Sequence, residues 1–369
     1  MRSVVLIGSR AADPAGSAAV RHALHRALPN HDLVEPSGSA APRLGTVDGV
    51  VVAGPSPEDV AAALARGALV ASRQRVPLAC VGLPAGPGGR VRRSMVRAAS
   101  ARAQLFLAAD GTAASWFRAA GVPGPIRVAA DPAWLALDRA LVPAGAPAPA
   151  RPGPRNGTAG PPGAAGLPAS DGAGRGDDVT VVVDGRLSPQ AERALAAGLV
   201  TLARAGRPIR LVPWGGPGSP DPGAASRLLL AVLGAVPGGA TKTAAPATLA
   251  EAAETFSQAY AVVTTRHRAA QAAAAAGTPV VGIGTDPAVT ATVNLLGQPV
   301  VHPDDDLSES LPVTVERLGA APPPVGQTVA AQTRRAEAAL RLLRLVIEPD
   351  AVAAADIDPL PMEPAPWLS

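Results

Sequence analysis

Aromatic side chains make up only 2% of the 369 residues. The cores must therefore be filled by Ala, Val, Leu and Ile, whose small volumes suit close helix-on-sheet packing. Lysine is scarcer still. Lys242 stands alone, so nearly all positive charge sits on guanidinium groups that do not titrate near neutrality. That bias reconciles a formal net charge of +4 with a sequence pI near 10.3. It also excludes mechanisms that need an amine, unless Lys242 supplies it. No aromatic residues are interleaved with a dense basic block, so no nucleic-acid partner is expected. Cys80 is the one cysteine, which excludes an internal disulfide and a cysteine metal site. It lies in the apolar run Val76 to Gly82 and reads as a core thiol. No uninterrupted apolar stretch reaches the roughly 20 residues of a membrane span. Peripheral membrane contact stays open, and oligomeric state is not readable from composition. The chain passes from Arg2 straight into a short apolar strand, with no signal-peptide pattern, and a cytoplasmic location is expected.

What is present is a 47% hydrophobic chain, long enough for two cores. Strand and helix signals alternate along it. Ser3–Gly8, Val47–Gly54, Val76–Gly82, Ala103–Ala108 and Ile126–Ala129 read as strands. Helical text stands between them, at 18–28, from Pro57 with Ser56 as its cap, at 90–102 and at 115–120. From about Val142 to Asp178 the alternation stops, and Pro/Gly/Ala text replaces it. Such text buries too little apolar area to offset its ordering entropy and reads as a disordered linker. A second series follows. Val179–Val183, Ile209–Pro213, Ala261–Thr265, Pro279–Ile283 and Pro299–Val301 read as strands, and a long amphipathic helix runs from Thr328 to Ile347. The pattern predicts two doubly wound α/β domains, at 1–141 and 179–358, with a flexible tail at 359–369.

In such sheets ligands sit outside the carboxyl ends of the strands, where helices begin. The segment Thr264-Thr265-Arg266-His267-Arg268 stands at one such junction. Two guanidinium groups there could grip a carboxylate and a phosphate. A solvated helix start carrying no ligand answers to the same residues.

The run from Thr265 through Gly277-Thr278-Pro279 to Asp286 resembles the late signature of the polysaccharide pyruvyl transferase family. In that family an Arg-any-His-Ala turn is followed by a small-residue helix, Gly-any-Pro, a strand and an aspartate. Other segments fall in the family's order: Pro213-Trp214 with Asp221, the loop from Gly82 to Pro87 with Gly86, Asp110 with Ser115, and Asp131-Pro132 with Trp134. The resemblance implies two Rossmann-like domains facing across a cleft, a GT-B-like architecture. It implies transfer of the enolpyruvyl unit of phosphoenolpyruvate to a cell-envelope glycan or its precursor, with no further cofactor. Arg266 and Arg268 would bind the donor, and His267 and Asp286 would be catalytic. Gly86, Asp110, Ser115, Asp131 and Trp214 would line the cleft.

The pattern is not intact. Arg268 stands at the family histidine position and Ala288 at its lysine. A guanidinium cannot serve as a general acid near neutrality. Either His267 takes that role or the chain is a non-catalytic relative that binds glycan or protein. A GT-B-type glycosyltransferase using a nucleotide sugar is the third reading, with Glu251 or Glu254 as a ribose partner. His22, His25 and His31 read as surface residues of the first helix, and His302 with Asp304, Asp305 and Asp306 as an exposed loop rather than a metal site.

Overall fold

Strand β1 (Arg2–Ile7) is buried at Val4, Val5, Leu6 and Ile7 alike. A strand apolar on both faces belongs inside a parallel sheet with helices above and below, and the computed structural model shows such a sheet. It describes residues 2–8, 14–35, 47–55, 57–140, 176–215 and 219–349. Of the expected linker at 142–178, residues 142–175 lie outside the described residues, as does the tail at 359–369.

The first unit continues with α1 (Pro14–Ala27), β2 (His31–Val34), β3 (Gly49–Ala53), a 3-10 turn at Pro57–Asp59, α2 (Val60–Gln74) and β4 (Leu78–Leu83). Then come α3 (Arg90–Ser100), β5 (Ala103–Ala108), α4 (Gly111–Ala119), β6 (Arg127–Val128) and the start of α5 (Trp134–Ala140), whose residues from Leu137 onward fall in the second unit. Six parallel strands lie in the order β2-β1-β3-β4-β5-β6. Val50, Val52, Leu64, Leu78, Cys80, Phe106 and Phe117 are central to its core. Burial pushes the Cys80 thiol far above its ordinary range, so it stays a protonated core residue. Helix α2 ends with Arg75 in the left-handed region, where its N–H closes on Ala71 O.

The second unit holds β7 (Val179–Val183), α6 (Pro189–Arg204), β8 (Ile209–Pro213), α7 (Asp221–Ala235), β9 (Ala240–Lys242) and α8 (Leu249–Ser257). It continues with β10 (Ala261–Thr264), α9 (His267–Ala275), β11 (Val280–Ile283), α10 (Pro287–Leu295), β12 (Val300–Val301) and α11 (Leu307–Ala320). Its six parallel strands lie in the order β12-β11-β10-β7-β8-β9. The helices start on local chemistry. Ser188 caps α6 ahead of Pro189, and Asp306 caps α11. Thr248 Oγ1 accepts from Glu251 N, and Glu251 answers by accepting from Ala247 N.

Both units are Rossmann-like, and the GT-B-like fold class expected from the sequence stands. The boundaries differ from that expectation. Gly176 N donates to Gln258 O, Tyr260 N donates to Asp178 O, and Arg210 pairs with Asp178 at 3.1 Å. Residues 176–178 therefore belong to the second unit. Helix α12 (Gly326–Ile347) begins in the second unit and from Ala331 onward belongs with the first. Its end is tied to the first sheet. Ile347 packs over Gly49, where a side-chain Cβ would collide with the isoleucine's terminal methyl. Glu348 lies 3.1 Å from His31 Nδ1 and accepts from Arg344 Nε at 2.8 Å. His31 is thus a buried residue of β2, not a surface one.

Candidate functional site

In the second sheet the chain runs from β7 outward to β8 and β9, then returns to place β10 on the other side of β7. The loops leaving β7 and β10 therefore diverge, and their strands' carboxyl ends flank a topological switch point. The residues there are Asp184 and Gly185 after β7, and Thr265 and Arg266 after β10.

Hydrogen bonds and ion pairs knit this point together. Asp221, at the start of α7, is fully buried. Its Oδ1 accepts from Gly185 N at 2.9 Å, and its Oδ2 from Gly215 N at 3.0 Å. Arg266 Nη2 reaches both oxygens at 2.7 Å. One carboxylate thus holds the loops after β7, β8 and β10. Asp184 adds an ion pair to Arg266 Nη1 at 3.2 Å, and its own N–H donates to Thr265 Oγ1 at 2.6 Å. Gly185 has to be glycine, since a Cβ would run into the Pro220–Asp221 backbone. Thr264 Oγ1 accepts from Arg266 N at 2.9 Å, which sets the extended residue from which α9 starts.

The charges matter for chemistry. Arg266 faces two carboxylates, and Arg186 stands 3.9 Å from Asp184. The guanidinium is already neutralised, and its side chain is only 15% exposed. The Asp184 carboxylate and His267 are partly exposed, and no side chain caps the first turn of α9. Carboxylates accept hydroxyl protons; a helix N-terminus attracts anions.

The structure distributes the predicted residues unevenly. Arg266, His267 and Arg268 do start one helix, but Arg268 is buried, with only 4% exposure. Asp286 begins the next helix along, where its Oδ1 accepts from Ala288 N at 2.8 Å, a capping bond. Trp214 is 1% exposed and stacks on Phe256 with ring centroids 6.3 Å apart, as a core residue. Gly86, Asp110, Ser115 and Asp131 lie in the first unit. Asp110 caps α4 through Ala113 N at 2.7 Å, and buried Asp131 accepts from Ala133 N at 2.9 Å. Ser115 is exposed on α4, and Gly86 passes against the Trp116 ring. Glu251 and Glu254 are both exposed on α8. His302 N donates to Asp305, while Asp306 caps α11. Among the described residues, no three His, Cys, Asp or Glu side chains gather as metal ligands. Nor, among them, is any helix long and apolar enough to cross a membrane.

Asp184 and Asp221 were not among the predicted site residues. Asp184-Gly185 directly after a buried strand was the available signal, as was an aspartate opening a helix after Pro213-Trp214.

No family model matches the chain, and no curated protein does. Solved structures do share its fold. The UDP-N-acetylglucosamine 2-epimerase of Rickettsia bellii superposes with a TM-score of 0.61 at 10% identity, over 94% of this chain and 97% of that one. The Methanocaldococcus jannaschii UDP-GlcNAc 2-epimerase, in complex with UDP-GlcNAc and UDP, gives 0.59 at 13% identity, over 93% and 99%. The Neisseria meningitidis enzyme bound to UDP-GlcNAc gives 0.60 at 12%, over 93% and 99%. At such identities the likeness is one of fold.

These findings correct the expectation of enolpyruvyl transfer from phosphoenolpyruvate to a glycan. The three structures just named, which share the fold over nearly the whole chain, are UDP-N-acetylglucosamine 2-epimerases. The geometry agrees with the correction. Arg266, the expected donor-binding residue, is occupied by Asp221 and Asp184.

Proposed function

We propose that the chain binds and acts on a nucleoside-diphosphate sugar at the carboxyl ends of the second sheet. The observation that carries this reading is the switch point itself. There a closed Asp184–Arg266–Asp221 network stands beside the uncapped first turn of α9. A nucleotide sugar is anionic at its diphosphate and rich in hydroxyls at either end. The half-buried Asp184 carboxylate suits a hydroxyl of ribose or sugar, and the positive end of α9 suits the diphosphate. Arg266 acts as the positioning residue that fixes both loops. We assign proton movement to the imidazole of His267, the first residue of α9. The fold shared with epimerases solved with UDP and UDP-GlcNAc supports the same ligand class.

Thermal unfolding of the full chain with UDP, UDP-GlcNAc or phosphoenolpyruvate tests the reading. A ligand at 100 times its Kd stabilises by about 2.7 kcal/mol, which moves the midpoint by about 5–10 °C in a unit of this size. UDP and UDP-sugars are expected to produce that shift and phosphoenolpyruvate none. Asp184→Asn should weaken the response to UDP-GlcNAc. If no nucleoside diphosphate or its sugar shifts the midpoint at millimolar concentration, the proposal fails.

A further inference from the structure

Between Asp59 and Asp110 the chain carries eight arginines and no acidic residue. Spread evenly, its 29 acidic residues would put about four in a stretch of that length. The stretch builds α2, β4, α3 and β5, and α2 packs against α3. All eight arginines are exposed: Arg66, Arg73 and Arg75 on and after α2, and Arg90, Arg92, Arg93, Arg97 and Arg102 on and after α3. None of them pairs with an acidic side chain among the described residues.

Helix α3 divides its surface three ways. Val96, Ala99 and Ser100 face the core. Arg90, Arg93 and Arg97, spaced three and four apart, form one exposed ridge. Val91, Met95 and Ala98 form a second exposed stripe, with Val91 75% and Met95 40% exposed. Leu69 on α2 is also exposed, at 49%. Arg90, Arg92 and Arg93 occupy the first turn of α3, at the positive end of its dipole, and no side chain caps that end. For an isolated protein this is the unfavourable end for a cation. Against a sheet of negative charge the same arrangement becomes favourable.

We infer that the exposed face of α3, with the arginines of α2, docks the protein on an anionic phospholipid surface. Guanidinium groups meet the phosphates, while Val91 and Met95 enter the headgroup–acyl boundary. Two features favour lipid over nucleic acid. Residues 60–105 contain no aromatic side chain on which bases could stack. The Val91–Met95 stripe gains nothing against a phosphate–sugar backbone but gains apolar burial in a bilayer. This surface is separate from the nucleotide-sugar proposal, and neither depends on the other.

Cosedimentation of the full chain with vesicles tests the inference. Binding is expected to mixed phosphatidylglycerol–phosphatidylcholine vesicles, to weaken with salt, and to vanish on pure phosphatidylcholine. Each arginine near such a surface is worth about fivefold. Replacing Arg90, Arg92, Arg93 and Arg97 together by glutamine should cost at least about a hundredfold, whereas four lysines should retain most of the binding. The exposed positions leave folding intact, and the lysine variant separates charge from fold. Val91→Ser with Met95→Ser should weaken vesicle binding about tenfold at constant charge. Equal binding to neutral vesicles, or undiminished binding by the glutamine variant, would overturn the inference. So would tighter binding to a duplex oligonucleotide that the serine pair leaves unchanged, which would assign the face to nucleic acid.

Discussion

Asp221→Asn removes one charge and almost no volume, so it isolates what the buried carboxylate does. Each Asp221 oxygen now accepts from one glycine N–H and from Arg266 Nη2. An asparagine keeps one acceptor. Its amide nitrogen must face either Gly185 N–H or Gly215 N–H, donor against donor, and Arg266 is left with Asp184 at 3.2 Å as its charged partner. A buried pair broken from one side costs about 3–5 kcal/mol, because the remaining charge stays out of water. That exceeds the roughly 1.5–3 kcal/mol of a single hydrogen bond to a charged group, since several bonds go at once. The second unit spans Leu137–Ala330, and in a unit of that size each kcal/mol moves the midpoint about 2–4 °C.

Calorimetry of the unmodified chain and the variant should therefore differ by about 6–20 °C. The control is Asp221→Asn combined with Arg266→Met, which withdraws the stranded guanidinium as well. It should recover part of the loss, so that the two substitutions cost less together than their separate costs added. A shift below about 2 °C in Asp221→Asn, or strict additivity of the pair, would refute the claim that this carboxylate holds the three loops.

Two further outcomes follow from the packing and the charges. Gly49→Ala drives a methyl into Ile347 and should cost about 1 kcal/mol, toward the low end of overpacking because the obstacle is a side-chain tip. Ile347→Val deletes that tip and should recover most of the loss in the double variant's melting midpoint. Arg207, hydrogen-bonded at 2.7 and 2.9 Å, holds the Glu316 carboxyl below its usual range. A carboxyl depressed in the folded state stabilises above its unfolded pKa and loses that contribution as pH falls through the folded value. Glu316 is 44% exposed, so Glu316→Gln should cost about 0.2–1 kcal/mol at neutral pH. The difference from the unmodified chain should close as denaturant titrations are carried below about pH 4.

The central strands were legible because burial on both faces writes a run dominated by Val, Leu and Ile, unbroken over Val4–Ile7 in β1 and Val50–Val52 in β3 and interrupted by one polar residue in β7 and in β8. Edge strands escape that signal. In β2 (His31-Asp32-Leu33-Val34) and β9 (Ala240-Thr241-Lys242) polar residues outnumber or match apolar ones, and neither was predicted. Helix α11 was missed too, and it carries Pro312 in its interior, a residue that normally ends helices. The affiliation of α12 with the first unit was invisible, because contacts such as His31 with Glu348 join residues at opposite ends of the chain.

The site follows the same logic. The turn at Arg266 could be found because a strand-to-helix junction is local. Its partners could not, since Asp221 lies 45 residues from Arg266, and the bond from Asp184 to Thr265 spans 81. Short range also misleads. Asp110, Asp131 and Asp286 stand where loops enter helices, and there an aspartate serves the backbone N–H two or three residues on. The residue type that ends a strand with chemistry is also the type that starts a helix without it. The arginines of α2 and α3 pose the converse case. In the sequence they are scattered through apolar text and answer to no basic block. The parallel sheet sets α2 beside α3, and charges spaced for solvation along the chain become one acid-free face. A positive end of a helix bearing Arg90, Arg92 and Arg93 is a local conflict within α3, and such conflicts are where a sequence serves something other than its own fold.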